Sequence, residues 1–284
     1  MPTDHPVHDP GPAFRALHVP GNPFILANAW DVGSAQMLAA RGAQALATSS
    51  AAFAFTIGRR DMGDLTRDQH LAHAETIVAA TPLPVQGDFE NGFGPDPETC
   101  ADTVRLSAEI GLAGICIEDT ALPDSTAYAF DHAVERIRAA AAAARALQRD
   151  FFLVARADGL LAGGYGQDEA LRRIKAFAEA GADGVYAPMP ASSADLAALI
   201  KASDKPFNAL AAGRFSKLTL AQFAKMGAAR VSLGSALARV THKAIDDAAK
   251  AMLQAGDFSM LARGMSGDTV DDLLTAGRKG EVTP

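Results

Sequence analysis

Cysteine, basic charge and long apolar stretches are all scarce in this 284-residue sequence. Its two cysteines, Cys100 and Cys116, are too few for a disulfide framework, and Cys116 lies in an apolar pattern typical of a buried thiol. The net charge of −7 disfavours a nucleic-acid partner, because contacts with phosphates need a basic surface. No apolar stretch reaches the roughly 20 residues of a membrane helix, and the first residues lack the apolar core of a signal peptide. We therefore expect a cytoplasmic protein with neither a nucleic-acid nor a membrane partner.

The sequence also lacks the glycine-rich loop of dinucleotide-binding proteins. An open, doubly wound sheet of that type carries Gly-x-Gly-x-x-Gly after its first strand, whereas residues 29–33 read Ala-Trp-Asp-Val-Gly. The chain instead alternates between strand-like and helix-like segments, which predicts a parallel sheet. The predicted strands cover residues 24–29, 45–49, 83–88, 114–118, 151–156, 184–188, 207–210 and 230–234. Eight such units in about 230 residues favour a closed (β/α)₈ TIM-type barrel of the α/β class.

Three regions follow from this interpretation. Residues 1–20 are polar and proline-rich and are predicted to form a loose N-terminal arm. Residues 21–255 are predicted to form the barrel, with a long loop over residues 50–65. Because the eight units are complete before residue 256, the helical extension at 256–284 is not needed by the barrel. We therefore expect this extension to pack on another subunit.

Charged side chains follow several of the predicted strands directly. Asp88 and Glu90 are two residues apart, and side chains with this spacing on a strand point to the same side. Glu118 follows the next strand, and Arg156 ends the one after it. The C-terminal ends of barrel strands form the face that carries active sites, so we expect these groups to lie together. The same face is predicted to collect Trp30, Asp31, Ser49, Ser50, Asp119, Asp158, Tyr186, Asn208 and Ser232.

Several carboxylates in one place repel each other unless a cation lies between them. Mg²⁺ prefers carboxylate oxygens, whereas the histidine and cysteine ligands of zinc are absent from these strand ends. Each motif alone is weak evidence, because an Asp-x-Glu pair is often a helix cap and Arg156 alone could form a structural ion pair. Their joint placement favours a magnesium site. Residues 49–51 add N–H groups and hydroxyls that could hold a carboxylate or a phosphonate.

Seven short motifs occur in order along the chain: NAWD at 28–31, ATSS at 47–50, GRRD at 58–61, DFENGFG at 88–94, IED at 117–119, ARAD at 155–158 and RVSLG at 230–234. Together they resemble the isocitrate lyase/phosphoenolpyruvate mutase superfamily. The resemblance implies a barrel that uses Mg²⁺, or Mn²⁺ in its place, to bind a 2-oxo acid and stabilise its enolate. It also implies a homotetramer in which a late helix is swapped between neighbours.

The resemblance implies roles for individual residues. The metal-binding set is Asp88, Glu90 and Glu118, acting largely through water molecules. Asp61 matches an acid near the metal and Arg156 a cation facing the substrate, so the predicted catalytic set is Asp61, Arg156 and Glu118. Ser49, Ser50 and Ala51 would bind the substrate carboxylate. With Trp30 and Asn208 from the same face, the predicted substrate-binding set is Trp30, Ser49, Ser50, Ala51 and Asn208.

The loop after the fourth strand departs from the superfamily pattern. Lyases of this group carry a Lys-Arg/Lys-Cys-Gly-His segment there, whereas residues 120–128 contain no cysteine, lysine or histidine. Cleavage of isocitrate or methylisocitrate is therefore not expected. The mutase and phosphonopyruvate hydrolase branch has Lys and Asn/Thr on this loop, and here Ser125 and Thr126 are the residues that could replace them.

The sequence thus predicts a magnesium-dependent enzyme acting on a small 2-oxo or 2-hydroxy acid, by C–C bond cleavage or decarboxylation. One alternative is P–C bond chemistry on phosphonopyruvate. The other alternative, of a different class, is a barrel that binds a 2-oxo acid without catalysis. It arises because the loop that carries the catalytic acid in lyases lacks such a residue here.

Overall fold

A computed structural model describes residues 9–283 of the chain. The strands within these residues are β1 (Phe24–Asn28), β2 (Ala45–Ala47), β3 (Val85–Asp88), β4 (Gly114–Glu118), β5 (Thr120–Ala121), β6 (Thr126–Ala127), β7 (Phe152–Arg156), β8 (Gly184–Tyr186), β9 (Phe207–Leu210) and β10 (Arg230–Ser232). Eight of them close a parallel barrel in the order β1-β10-β9-β8-β7-β4-β3-β2, and β5 and β6 form a small antiparallel hairpin. The predicted (β/α)₈ barrel is confirmed.

Helices connect the strands and surround the barrel. They are α1 (Gly11–Ala16), α2 (Val32–Ala40), α3 (Ser50–Thr56), α4 (Arg67–Ala80), α5 (Pro97–Glu109), α6 (Phe130–Ala146), α7 (Gly159–Ala162), α8 (Gln167–Glu179), α9 (Ser193–Ala202), α10 (Leu220–Met226), α11 (Ala236–Ala255) and α12 (Gly267–Lys279), with short 3₁₀ turns at Gly213–Lys217 and Ser259–Arg263. Within the described chain, none has both the length and the apolar character to cross a bilayer.

One helix replaces part of a predicted loop. Residues 50–56 form α3, so the prediction of a loop over 50–65 is wrong for its first half. The cause is local, because the Oγ atom of Ser49 accepts a hydrogen bond from the N–H of Ala52 at 3.3 Å and caps the helix. As a result, the chain leaves β2 directly into the first turn of a helix.

The strands carry apolar side chains on both faces, as expected for a parallel sheet covered by helices. All five residues of β4 are buried, and a continuous cluster packs between the strands and the surrounding helices. A separate cluster fills the barrel interior, with Leu26, Cys116 and Phe152 among its members. Cys116 is therefore the buried thiol that its sequence pattern indicates.

The prediction of a loose arm over 1–20 is wrong for the described residues 9–20, and its first eight residues lie outside the described chain. Helix α1 covers the N-terminal end of the barrel, where Phe14 is fully buried and its ring packs edge-on against Phe24 and Phe152. Arg15 adds an ion pair with Asp150 at 2.6 Å. The barrel end would otherwise expose these rings, so the segment packs for hydrophobic reasons.

The C-terminal extension packs partly on its own barrel. Helix α12 lies on α2 of the same chain, with Leu273 buried and Gly277 so close that a Cβ atom would stand 1.8 Å from the carbonyl oxygen of Gln36. Helix α12 therefore packs on its own barrel, and the packing of the extension on another subunit stays a prediction. Helix α11 is different, because Ala238 is its one buried residue within the described chain.

His18, just after α1, links the end of the barrel to its interior. Its ring stacks on Phe152 at 4.0 Å between centroids, its Nδ1 atom bonds the Phe14 carbonyl at 2.9 Å, and its Nε2 atom lies 3.2 Å from Arg230. Burial, followed by the charge of Arg230, lowers the pKa of His18 to about 3. The imidazole is thus neutral in the folded protein at ordinary pH.

This lowered pKa predicts a specific acid sensitivity. Stability contributed by neutral His18 is complete above its unfolded pKa near 6.5 and is lost as pH falls toward the folded value of about 3. Between pH 7.5 and 5, we expect the wild type to lose about 2 kcal/mol more unfolding free energy than His18→Phe. Urea unfolding at both pH values measures this, with His132→Phe as a control that keeps the wild-type dependence. If the unfolding free energy changed equally with pH in the wild type and in His18→Phe, the lowered pKa of His18 would be contradicted.

Candidate active site

A cavity of about 590 Å³ opens at the C-terminal ends of the barrel strands. The sequence-predicted residues that line it are Ser49, Ser50, Ala51, Asp61, Asp88, Glu90, Glu118, Arg156 and Tyr186. Residues from six separate segments of the chain therefore meet at one place, because parallel strands bring their carboxyl ends to the same rim. Trp30 and Asn208 do not line the cavity.

Asp88, the last residue of β3, is held by its neighbours on both sides. One carboxylate oxygen accepts hydrogen bonds from the N–H and the hydroxyl of Ser50, at 3.0 and 3.1 Å. The other accepts a bond from the Cys116 thiol at 3.3 Å. Burial raises the pKa of Cys116, so this thiol stays protonated and acts as a donor. The carboxylate is thus oriented before any ligand binds.

Arg156, at the end of β7, is the cation of the site. Its guanidinium lies 2.8 Å from Glu118, 3.6 Å from Asp88 and 2.5 Å from Asp158. It also lies over the ring of Tyr186, at 5.3 Å from the centroid. Burial raises the pKa of Glu118 and of Asp158 despite this partner, because one cation does not compensate several buried acids.

Glu90 and Asp61 complete the acidic side of the cavity. Burial, with added repulsion from Asp61 and Asp88, raises the pKa of Glu90 to about 7, although the N–H of Gly63 donates to its Oε1 atom at 3.1 Å. Burial and the charge of Asp88 also raise the pKa of Asp61. Glu90 has a positive φ of 45°, so the extended conformation of β3 does not continue through it, and its side chain lines the same cavity as Asp88.

These residues fit a hydrated magnesium ion. All the donors are carboxylate oxygens. Burial, and after it the charges of neighbouring acids, raise the pKa values of Glu90 and Glu118, so a bound cation would favour their ionised forms. Within residues 9–283, no three Asp, Glu, His or Cys side chains are arranged to bind a metal ion directly. Mg²⁺ commonly keeps several of its waters, so acids spaced around a cavity can hold it through water molecules.

The two predicted substrate-binding residues outside the cavity have different surroundings. Asn208 lies deeper in the barrel, level with Arg230, where it accepts a hydrogen bond from the guanidinium at 2.8 Å. Leu210, two residues later on the same side of β9, lines the cavity instead. At Trp30 the chain already turns into α2, and its carbonyl oxygen lies 2.8 Å from the Nε2 atom of His73.

Asp119 also follows a barrel strand, but its side chain does not line the cavity and instead bonds neighbouring groups of the protein. One of its oxygens accepts bonds from the Tyr165 hydroxyl at 2.7 Å and from Arg173 at 2.8 Å. Its other oxygen accepts the N–H of Asp158 at 2.7 Å. Tyr165 belongs to the glycine-rich segment after α7, so that segment packs against Asp119 instead of forming a phosphate-binding loop.

A profile of the family described as phosphoenolpyruvate phosphomutase matches residues 14–253, which include every strand of the barrel. The chain belongs to this family, within the isocitrate lyase/PEP mutase superfamily. The resemblance carried by the seven ordered motifs is confirmed.

Several relatives of this phosphoenolpyruvate phosphomutase family member are known. It is 33% identical over 228 residues to an uncharacterized protein of Mycobacterium tuberculosis, covering 78% of this chain and 82% of that one. It is 32% identical over 188 residues to 2-methylisocitrate lyase of Salmonella typhimurium, covering 63% and 62% of the two chains. A crystal structure from Burkholderia cenocepacia, described as a lyase or mutase, has 40% identity and a TM-score of 0.91 over 96% of this chain and 98% of that one. The crystal structure of 2,3-dimethylmalate lyase has 25% identity and a TM-score of 0.82, over 94% and 95%.

Arg136 supports the site in this family member, and sequence reasoning missed it. The residue lies inside the alanine-rich helix α6, where nothing local indicates a role, yet it is fully buried. Its guanidinium donates to the carbonyl oxygens of Glu118 at 2.9 Å, of Gly94 at 3.1 Å and of Asn91. Among the described residues no carboxylate forms an ion pair with it. Arg136 therefore joins the ends of β3 and β4 through main-chain oxygens.

This role predicts a large loss of stability in Arg136→Met. The substitution keeps most of the side-chain volume but removes the guanidinium donors from three carbonyl oxygens, so the unfolding free energy should fall by about 3 kcal/mol. Urea unfolding measures the change. Arg138→Met, on the same helix, is the control, because Arg138 is exposed and pairs only with exposed Glu135 on the surface of the described chain. Its effect should stay within about 0.5 kcal/mol, and equal effects of the two variants would rule out the role.

Proposed function

We propose that this protein is a magnesium-dependent enzyme that cleaves a carbon–carbon bond of a small 2-oxo or 2-hydroxy acid, as a lyase or a decarboxylase, through an enolate. The observation that carries the proposal is the cavity in which Asp88 and Glu118 flank the guanidinium of Arg156 and Glu90 lines the same space. The substrate is a small organic acid. A cytoplasmic location stays a prediction from the sequence.

The two ends of such a substrate have different partners in the cavity. Ser49, Ser50 and Ala51 at the first turn of α3 would lie against the substrate carboxylate, with the hydroxyl of Ser49 and the N–H of Ala51 as its donors, because the N–H and hydroxyl of Ser50 donate to Asp88. Asp88, Glu90 and Glu118 would hold Mg²⁺, or Mn²⁺, largely through water molecules. When bound, the ion would withdraw charge from the 2-oxo group and stabilise the developing oxyanion.

For a 2-oxosuccinate, the bond between C3 and C4 breaks and carbon dioxide leaves. The bonding electrons become the enolate of the remaining 2-oxo acid, whose negative charge lies next to the Arg156 guanidinium. A proton then adds to C3 and completes the product. We assign its transfer to Asp61, which lines the same cavity and whose pKa is raised by burial and by the charge of Asp88.

C–C cleavage is preferred over P–C chemistry because of the loop after β4. It presents Leu122 to the cavity, and residues 120–128 contain no lysine or arginine. A phosphonate carries more charge than a carboxylate and needs a cation at this position. P–C chemistry remains the second candidate, because a 133-residue stretch of the chain is 35% identical to phosphonopyruvate hydrolase of Variovorax.

We further propose that the barrel of residues 21–255 assembles as a homo-oligomer, a tetramer by the resemblance, with α11 exchanged between neighbours. Ile245 and Leu253 on α11 are 65% and 84% exposed. Ile25 is 47% exposed although it lies in a barrel strand. A second copy of α11 lying over β1 would bury both apolar surfaces, which is favourable at about 25 cal/mol per Å².

The proposed chemistry predicts that turnover depends on metal and on Asp88. A screen of 2-oxo and 2-hydroxy acids should show pyruvate or glyoxylate formation with Mg²⁺ or Mn²⁺ and none with EDTA. Asp88→Ala should lower kcat by orders of magnitude, because bound metal supplies several kcal/mol of oxyanion stabilisation. The unfolding free energy should change by no more than about 1 kcal/mol, since repulsion between acids is relieved as contacts are lost.

The outcomes separate the candidate functions. A folded Asp88→Ala protein with near-normal activity would show that the acid cluster is structural. Phosphate release from phosphonopyruvate, without cleavage of any C–C substrate, would favour P–C chemistry. Metal-dependent binding of 2-oxo acids without turnover of either class would identify a binding protein.

The exchanged helix predicts that a charge on α11 disrupts assembly. Ile245→Asp should lower the mass measured by light scattering, because a carboxylate cannot be buried against β1 without a partner. Gln254→Asp, which adds the same charge at an already polar position of α11, is the control and should keep the wild-type mass. An unchanged mass for Ile245→Asp would exclude this interface.

A further inference from the structure

Most of the charged groups at the rim of the barrel come from one arc of neighbouring strands, the polar arc, and several apolar groups come from another. The neighbouring strands β7, β4, β3 and β2 end in or lead to the polar groups Arg156, Glu118, Asp88 and Ser49. The neighbouring strands β8, β9 and β10 lead to apolar groups that also line the cavity, namely Met189, Leu210 and Leu233. Leu122, from the loop after β4, also lines the cavity. We call Leu122, Met189, Leu210 and Leu233 the apolar wall.

Three side chains of this wall pack against glycines with positive φ. A Cβ atom on Gly213 would stand 2.8 Å from the Cε atom of Met189, and one on Gly63 would stand 2.9 Å from the Cβ atom of Leu122. The corresponding distance from Gly234 to Leu210 is 3.4 Å.

Met189 itself has a φ of 58°, in the left-handed region that costs a non-glycine residue energy. Strain of this kind persists where the surroundings impose it, often at ligand sites. The surrounding backbone therefore fixes where these apolar side chains lie, and their contacts with the cavity are not incidental.

The charged groups on this side of the cavity lie at its mouth. Arg239 and Lys243 line the cavity from α11, where both are solvent-exposed, and Lys243 pairs with Asp247. They can attract an anionic substrate from solution, but exposed charges contribute little to a contact inside the cavity. The neutral hydroxyls of Ser216 and Ser235 also line it. A carboxylate placed against the apolar wall would lose its hydration without gaining a buried cation.

We infer that the substrate carries an uncharged aliphatic group on the carbon next to its 2-oxo or 2-hydroxy carbon, and that this group packs against the apolar wall. The inference rests on the proposed function, because it uses the polar arc to orient the acid end of the substrate. With that end at residues 49–51 and Arg156, the adjacent carbon faces the strands on the opposite side of the barrel. Organic acids with a second or third carboxylate at that position are thereby disfavoured.

A pair of matched acids tests this inference. Isobutyl and carboxymethyl groups have nearly the same shape and differ in charge, so 3-isobutylmalate is compared with 3-carboxymethylmalate (isocitrate), and the two corresponding 2-oxosuccinates are compared in the same way. We expect kcat/KM with Mg²⁺ to be at least about tenfold higher for the isobutyl member of the pair that reacts. Met189→Gln, which adds a polar group at similar volume, should reduce this ratio at least about threefold. Met226→Gln, on α10 and outside the cavity lining, is the control and should not change it.

Calorimetric titration of the magnesium-loaded protein with the same acids separates the two proposals. Turnover of the carboxymethyl acid as fast as or faster than the isobutyl acid overturns the inference and leaves the proposed function intact. Preferential binding of the isobutyl acid without turnover of any acid supports the inference and overturns the proposed function. Absence of both binding and turnover for every acid overturns both.

Discussion

The active-site rim depends on one guanidinium surrounded by buried carboxylates. Arg156 lies 2.8 Å from Glu118 and 2.5 Å from Asp158, and the ends of β4 and β7 could not both be acidic without it. Buried charges of this kind are stable only while their partners are present, so the arginine and the acids form a single unit. The unit still has more acids than cations, since Asp88, Glu118 and Asp158 share the one guanidinium. A cationic ligand is the natural complement.

Two other buried arginines have neutral partners. Arg136 bonds main-chain carbonyl oxygens, and Arg230 bonds the side-chain oxygens of Asn208, at 2.8 Å, and Gln86. Carbonyl and amide oxygens satisfy the donors of a guanidinium without cancelling its charge. Arg230 also reaches His18, so the helix that covers the bottom of the barrel is connected by hydrogen bonds to the layer below the site. The positive charges beside and beneath the acids thus belong to the scaffold and leave Arg156 to face the cavity.

The strand order of the barrel separates two tasks. One arc, β7-β4-β3-β2, carries the charged groups Arg156, Glu118 and Asp88, and the other, β8-β9-β10, leads to the apolar side chains Met189, Leu210 and Leu233. In (β/α)₈ barrels, loop residues at the C-terminal face change specificity without disturbing the strands below.

The amino-acid sequence by itself determined the closed barrel, because eight alternating strand and helix segments leave few other ways to bury their apolar faces. It also determined the polar arc, since Asp88 and Arg156 are the last residues of their strands, and the C-terminal ends of barrel strands lie at one rim. Only the tertiary structure decided that Leu210, not Asn208, reaches the cavity, because the stagger between strands sets the layer at which each side chain lies. It alone placed Arg136 and α1, whose partners lie far away in the sequence. Local patterns cannot specify contacts that exist only after the barrel has closed.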